Sequence, residues 1–336
     1  MKKLFTILAV AATLVSCAKD ETIAVNKGEA IQFGNAFVEN STRAADPSYS
    51  TTGKGVALTT FKVYGAVEGV NIFDGDNVTK GDNVTYGDAW ACDGQQQYWI
   101  AGANYVFDAV VDATTVVTDT NTGLPVTLTY DATTQKDMLH DRVTTVGKPT
   151  ENDGLVAFGF THLLSKINFT VTNNSATAEG YSFVVKNITF NGATAATYDV
   201  KTAAWGAATA TGATIIGNER TVPVDGVDTK VKDIVVASKA ASAELATEVL
   251  FIPGTYGITF TVDILYNGNV LSTVNYPATG TTYSHTLAAN NAYNFNVNVS
   301  VGDPIQFTAT TMPEWGNGNT HDSDDDDDVN DYIPLQ

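Results

Sequence analysis

The chain has 336 residues, enough for two domains of ordinary size. It holds 18 Lys and Arg residues against 37 Asp and Glu residues, and the resulting net charge of −19 makes nucleic acid and anionic membrane surfaces poor partners. The sequence is rich in Thr, Val, Ala, Gly and Asn, and 10% of it is aromatic, a composition that favours strands and tight turns over helices.

The N-terminus has the pattern of a lipoprotein signal peptide. Two lysines precede an uncharged apolar run, Leu4–Val15, which is too short to span a bilayer as a helix. The run ends in Leu-Val-Ser-Cys17, a lipobox in which the cysteine becomes the acylated new N-terminus. We therefore predict that residues 1–17 are the signal peptide and that Cys17 carries the lipid. Cys92 is then left without a partner for an internal disulfide bond.

Runs in which apolar and polar residues alternate recur along the chain, with turn signals between them. This spacing predicts strands that place one face in a core and the other in water, as in antiparallel sandwiches. The clearest runs are Phe61–Val67, Tyr105–Val111, Ile167–Val171, Ile258–Val262 and Tyr293–Val299. Short helical turns are expected at Asp137–His140 and Lys239–Leu245. Surface loops are expected at Thr118–Gly123, Asn173–Gly180 and Ala207–Gly212.

The sequence shows no catalytic or metal-binding motif. The four histidines lack metal-ligand spacing, and phosphate-loop, dinucleotide-binding and serine-hydrolase motifs are missing. The repeat of Gly75–Thr79 in Gly81–Thr85 has Val where a calcium loop needs an oxygen ligand, so an exposed hairpin or loop is expected. The Asp324–Asp328 run is expected to be a solvated linker. We predict no metal, no cofactor and no enzymatic activity; a glycosidase-like pair of acids is the one enzymatic alternative.

One segment resembles the signature of a known family. Val156–Ile167 contains Phe-Thr-His-Leu-Leu-Ser-Lys-Ile and resembles the Phe-x-His-x-Leu-Ser-Lys-hydrophobic motif of the fimbrillins, the pilin-like lipoproteins of Bacteroidales also called type V pilins. The lipobox and four further segments follow the family's order: Ile31–Phe33, Ser41–Ala44, Phe61–Gly65 and Asn290–Phe295. The resemblance spans nearly the whole chain. It implies an all-β fold of two transthyretin-like Greek-key β-sandwich domains in tandem, residues 44–160 and 161–303.

The resemblance also implies assembly by strand exchange after proteolysis. A trypsin-like or Arg-specific protease would remove the propeptide, residues 18–43, together with a first strand. Arg43 is the candidate cleavage site, followed by Ala44, because small and polar neighbours describe an exposed loop. Removal of the strand would expose an apolar slot and unpaired backbone groups, which a strand from a second subunit can fill. The side chains predicted to share one face of the removable strand are Ile31, Phe33 and Phe37.

The C-terminal extension, residues 304–336, is the expected source of the donor strand, and two alternatives stay open. Asp303–Phe307 repeats the Ile and Phe of Glu29–Phe33 at the same spacing, which makes Ile305 and Phe307 candidates. A second apolar patch lies beyond the Asp-rich linker and offers Val329, Ile333 and Leu335.

The predicted function is therefore a structural subunit of a surface fimbrium that supports adhesion. Its expected partners are other copies of the chain, other fimbrial subunits, the maturation protease and, before cleavage, outer-membrane lipid. Ala18–Glu21 resembles the Lys-plus-acid signal that exports lipoproteins to the outer face of the outer membrane in Bacteroides-type bacteria. The alternative is a fimbrial anchor or tip subunit, or a surface lipoprotein that binds a glycan or host ligand without polymerising. For glycan binding, the candidate stacking residues are Trp90, Tyr98 and Trp99, although we expect these aromatic residues to be buried in a core.

Overall fold

The computed structural model describes residues 28–34, 36–38, 58–73, 81–87, 89–175, 180–224, 227–237 and 241–312. Several predicted features lie outside this part of the chain: Cys17, Arg43, Ala44, Gly75–Thr79, Asp324–Asp328, Val329, Ile333 and Leu335. Within it, no helix has the length and apolar character needed to cross a membrane.

The described residues form an all-β fold. The strands of the first half are β1 Phe37–Val38, β2 Thr60–Val67, β3 Val70–Asn71, β4 Asp82–Tyr86, β5 Trp90–Cys92, β6 Asn104–Val111, β7 Thr115–Thr118, β8 Pro125–Asp131, β9 Leu139–Val146 and β10 Gly159–His162. Those of the second half are β11 Ser165–Asn173, β12 Tyr181–Asp199, β13 Ala204–Ile216, β14 Asn218–Val224, β15 Val227–Val236, β16 Ser242–Glu244, β17 Val249–Phe251, β18 Gly254–Tyr266, β19 Asn269–Tyr276, β20 Ser284–Leu287, β21 Asn291–Val299 and β22 Gln306–Met312. Single 3₁₀ turns occur at Ala132–Thr134 and Asn152–Gly154.

The first sheet contains eight described strands in the order β1-β10-β9-β6-β2-β4-β5, with β3 paired to β2. Its neighbours are antiparallel except for β1 and β10, which run in parallel. The sheet surrounds a core rich in phenylalanine, including Phe61, Phe107, Phe158 and Phe160. Residues of the N-terminal segment, before Glu39, contribute to this core.

Two further sheets pack face to face in the second half of the chain. Five described strands follow the order β16-β11-β21-β22, with β17 on β11, and nine are built around β12 and β18. Inward-facing side chains of both sheets meet in one core, which includes Phe169, Phe190, Phe260 and Phe295. This arrangement is a β-sandwich, as the alternating pattern predicts.

A hairpin from the first half joins a sheet of the second half. β7 and β8 pair with each other, and β8 pairs with β12 from Asp131↔Ala195 to Thr127↔Asp199. A third core lies beneath this contact and includes Leu128, Tyr130 and Leu250. The domain boundary between residues 160 and 161 stays a prediction, and the hairpin shows that residues on both sides of it share a sheet.

All five predicted strands are confirmed, as β2, β6, β11, β18 and β21. The predicted helical turns are wrong: Leu139–His140 begins β9, and Ser242–Glu244 forms β16. The loop predicted at Ala207–Gly212 is also wrong, because it lies inside β13, which pairs with β12 along most of its length. The second copy of the short repeat, Gly81–Thr85, contributes β4, in keeping with the hairpin alternative.

Candidate functional site

The N-terminal segment that was predicted to be removable lies in a groove of the first sheet. We call residues 28–38 the first-strand segment. Its start pairs antiparallel to Gln97–Trp99: the Ile31 N–H donates to the Gln97 carbonyl at 2.8 Å, and the Trp99 N–H donates to the Glu29 carbonyl at 2.9 Å. The approach is close, since a Cβ on Gly28 would lie 2.5 Å from the Trp99 carbonyl oxygen.

The remainder of the segment runs in parallel with the chain around β10. The Val156 N–H donates to the Gln32 carbonyl at 2.9 Å, and the Gly34 N–H donates to the Val156 carbonyl at 3.0 Å. β1 then continues the pairing from Phe37↔Gly159 to Val38↔Phe160. Backbone hydrogen bonds therefore hold the segment on two sides. Its removal would leave the partner N–H and C=O groups in the rest of the chain without hydrogen bonds.

The side chains of the first-strand segment fill the core of the first sheet. Phe33 is 5% exposed, and its ring centroid lies 5.7 Å from that of Phe73 and 6.1 Å from that of Phe158. Ile31 is 4% exposed. The burial expected for Ile31 and Phe33 is therefore observed, whereas the side chain of Phe37 lies outside the described residues.

Two buried side chains of this segment, Ala36 and Val38, were missed from the sequence. The interval of three residues between Phe33 and Ala36 breaks strict alternation, so a period-two pattern extended from Ile31 selects the wrong positions. Burial of Ile31, Phe33 and Val38 stabilises the intact chain by roughly 5–9 kcal/mol before ordering costs. Removal of the segment would expose the phenylalanines beneath it.

One ion pair joins the start of the segment to the rest of the protein. The Lys148 Nζ lies 2.6 Å from a Glu29 carboxylate oxygen, and the two side chains are 38% and 70% exposed. An exposed pair of this kind contributes little to stability. It does mark which end of the groove holds the start of the strand.

The polar residues of the family-like motif have structural partners. His162 Nδ1 lies 2.7 Å from Asp137 Oδ2, and both side chains are 1% exposed. Lys166 Nζ lies 3.4 Å from Glu248 Oε2, and burial lowers the pKa of Lys166. The Ser165 hydroxyl donates to the Ala288 carbonyl at 2.7 Å.

These contacts tie β10 and β11 to distant parts of the chain. The described residues also contain no cluster of His, Cys, Asp and Glu side chains that would hold a metal ion.

The start of the C-terminal extension belongs to the subunit's own sandwich. β22 pairs with β21 from Gln306↔Asn298 to Met312↔Ala292. Phe307 is 5% exposed and packs against Phe295 and Phe260, while Ile305 is partly buried against the same core. Ile305 and Phe307 are therefore packed within their own subunit.

The aromatic residues considered for sugar stacking take part in packing. Trp99 is 8% exposed, with its ring 4.8 Å from that of Tyr105. Trp90 is half-buried against Phe61, at a centroid distance of 5.2 Å. Tyr98 forms an isolated bridge with Ala30 of the first-strand segment. Trp99 is thus buried, whereas Trp90 and Tyr98 are partly exposed.

Comparison with known proteins agrees with the fold and the motif. A model of a family described as fimbrillin-like matches residues 42–315. No curated protein matched the sequence.

A fimbrial protein from Bacteroides vulgatus ATCC 8482 is similar in structure, with a TM-score of 0.56, 16% identity, and coverage of 86% of this chain and 100% of the other. A putative cell adhesion protein from Bacteroides uniformis ATCC 8492 gives a TM-score of 0.47, 19% identity, and coverage of 85% and 98%. The fimbrial anchor protein Mfa2 from Porphyromonas gingivalis gives a TM-score of 0.37, 9% identity, and coverage of 85% of this chain and 97% of the other. With the family model spanning most of its length, the chain belongs to the fimbrillin-like family.

Proposed function

We propose that this protein is a structural fimbrial subunit, exported as a lipoprotein precursor and polymerised by donor-strand exchange after cleavage at Arg43. The fimbrial role is supported by membership in the fimbrillin-like family. The observation that carries the assembly mechanism is the first-strand segment, which fills a core yet precedes Arg43 in the chain. A cut after Arg43 therefore breaks its covalent link to the sheet that it completes.

The groove left by the first-strand segment would lack two kinds of contact, and one extended strand can supply both. Its apolar floor needs side chains to replace Ile31 and Phe33, and its backbone groups at Gln97 and Val156 need hydrogen-bond partners. A strand from another copy supplies both by joining the sheet edge. This reasoning favours a protein strand over a small ligand as the occupant.

The donor is assigned to the patch with Val329, Ile333 and Leu335, because β22 is engaged in its own subunit. The 24 residues that follow Met312 can extend about 80 Å at roughly 3.3 Å per residue. That reach is ample for a neighbouring subunit. The Asp324–Asp328 run would stay in solvent between the two, since burial of unpaired carboxylates is very costly.

Arg43→Ala tests the mechanism directly. The variant should fold as a monomer that keeps its first-strand segment and forms no fibres when treated with an Arg-specific protease. Wild-type protein should lose residues 18–43 and polymerise, as shown by N-terminal sequencing and electron microscopy. Normal fibres from the Arg43→Ala protein would rule out cleavage at this site as the trigger.

Cys17→Ala tests the proposed membrane anchoring. With no thiol at the lipobox, the precursor should not be acylated and should be recovered in soluble fractions. Cells grown with an alkyne analogue of palmitate provide the measurement, and Cys92→Ser is the matched control, which should label normally. Equal labelling of wild type and Cys17→Ala would show that the lipobox assignment is incorrect.

A further inference from the structure

The ion pair between Lys148 and Glu29 has a consequence for the proposed assembly. Glu29 precedes Arg43, so cleavage would remove it with the first-strand segment, whereas Lys148 stays in the mature subunit. A cation is then left at one end of the groove, in a chain whose formal charge is strongly negative. A donor strand that carries an acid at the matching position would restore the pair.

The sequence of the terminal patch allows few ways to fill the groove. The sites of Ile31 and Phe33 need two apolar side chains spaced by two residues. Each possible register places residue n of the patch in the Ile31 site and residue n+2 in the Phe33 site. Registers that start at 329 or 331 bury Asp331 in the core, and the register that starts at 330 buries an asparagine. One that begins at 332 places a proline in the Phe33 site. Ile333 with Leu335 is the pair that places two aliphatic side chains in these sites.

This register also matches the polar requirements of the groove. With Ile333 at the Ile31 site, Asp331 takes the place of Glu29 beside Lys148. Pro334 takes the place of Gln32, whose N–H donates to no acceptor among the described residues, so the missing N–H of proline costs no hydrogen bond. Glu-Ala-Ile-Gln-Phe and Asp-Tyr-Ile-Pro-Leu thus share an acid, an isoleucine and a final apolar residue at equal spacing.

We propose that Asp331–Leu335 of a second copy of this chain occupies the groove in the direction and register of Glu29–Phe33, and that Asp331 pairs with Lys148. This inference rests on the proposed function. The donor enters the path of the first strand at Asp331, because Asn330 at the position of Gly28 would place a Cβ against the Trp99 carbonyl. At the other end, Gln336 replaces Gly34, and its Cβ would lie 2.4 Å from Leu155 Cδ1 and 3.2 Å from Leu155 Cβ, so the Leu155 side chain must shift to admit it.

Carbodiimide cross-linking, which joins a lysine to a contacting carboxylate, tests this register in the full chain. In the precursor, mass spectrometry should find Lys148 joined to Glu29 within one chain. In fibres made from mixed ¹⁵N-labelled and unlabelled subunits, Lys148 should be joined to Asp331 of another chain. The pair Lys136 and Asp112, with Nζ and Oδ1 3.4 Å apart, is the matched control and should be joined within one chain in both samples.

Charge exchange gives an independent measure. Lys148→Glu should slow polymerisation of cleaved subunits about fivefold at low salt, Lys136→Glu should not, and Lys148→Glu with Asp331→Lys should restore the rate. The register would be wrong if Lys148 in the fibres were joined to Asp324–Asp328 or to no carboxylate, and if the exchanged pair did not restore the rate. Strand exchange itself would not be contradicted by that result. Cleaved wild-type protein that forms no fibres would overturn the proposed function and this inference together.

Discussion

At the scale of single residues, Phe33 is the side chain on which the first-strand segment depends most. It lies within 6.4 Å, between ring centroids, of four other phenylalanines, so its loss would open a cavity at the centre of the first core. The same ring would leave with the propeptide in the proposed maturation. A change at this position should therefore act on the precursor and not on the fibre.

Phe33→Ala is predicted to destabilise the uncleaved precursor by about 3–5 kcal/mol, the usual cost of a large cavity in a core. Fibres grown from this variant should match wild-type fibres in resistance to denaturant, because residue 33 is no longer present. Phe107→Ala is the control: Phe107 is fully buried beside Phe33 but remains in the mature chain, so it should weaken both states. Weaker fibres from Phe33→Ala would contradict removal of the strand.

The family-like motif shows what residue patterns can and cannot predict. The His162 side chain is buried in β10. Its partner Asp137 lies 25 residues away, and Glu248, the partner of Lys166, directly precedes β17, which is distant in sequence but pairs with β11. Such pairs depend on tertiary contacts, which local spacing does not contain.

At the scale of strands, the sequence predicts those elements that have one buried and one exposed face. β21 alternates regularly and was recognised, whereas β13 exposes nearly all its side chains and has no apolar period. β13 exists because β12 supplies its hydrogen bonds, so its Ala, Thr and Gly residues resemble a loop when read alone. The same reason explains β16, a three-residue strand held by β11.

The two parts of the C-terminal extension are predicted to behave differently. Phe307→Asp should lower the melting temperature of the monomer by many degrees, because it places an unpaired carboxylate in the sandwich core. Deletion of residues 329–336 should leave the melting temperature nearly unchanged and abolish polymerisation of the cleaved protein. Differential scanning calorimetry and sedimentation provide the two measurements. A large loss of stability on deletion would place this patch in the subunit's own fold.

At the scale of the whole molecule, the halves of the chain are connected by more than a linker. The hairpin of β7 and β8 extends the sheet around β12, and Leu128 and Tyr130 are fully buried in the core beneath it. Force or strain applied to the first sheet is therefore passed to the sandwich through hydrogen bonds and packed side chains.

At this scale, we expect repulsion between like charges to oppose the proposed assembly. The chain has 18 basic and 37 acidic residues, and residues 1–43 hold five of the basic and four of the acidic ones. The proposed cleavage after Arg43 would therefore leave 13 basic and 33 acidic residues and a net charge of −20. Each joining step brings two such subunits together. The Debye length falls from about 30 Å at 0.01 M salt to about 8 Å at 0.15 M, so added salt should screen most of this repulsion.

Polymerisation of already cleaved subunits is therefore predicted to become faster as NaCl rises over this range, as followed by light scattering. The pair of Lys148 and Asp331 would weaken over the same range, but one exposed ion pair is worth at most about 1 kcal/mol and cannot offset repulsion between two chains of charge −20. Asn substitutions throughout Asp324–Asp328 remove five charges and should raise the rate at low salt and flatten its salt dependence. A rate that falls with salt in both proteins would mean that attraction between charged groups, and not apolar strand insertion, drives the joining step.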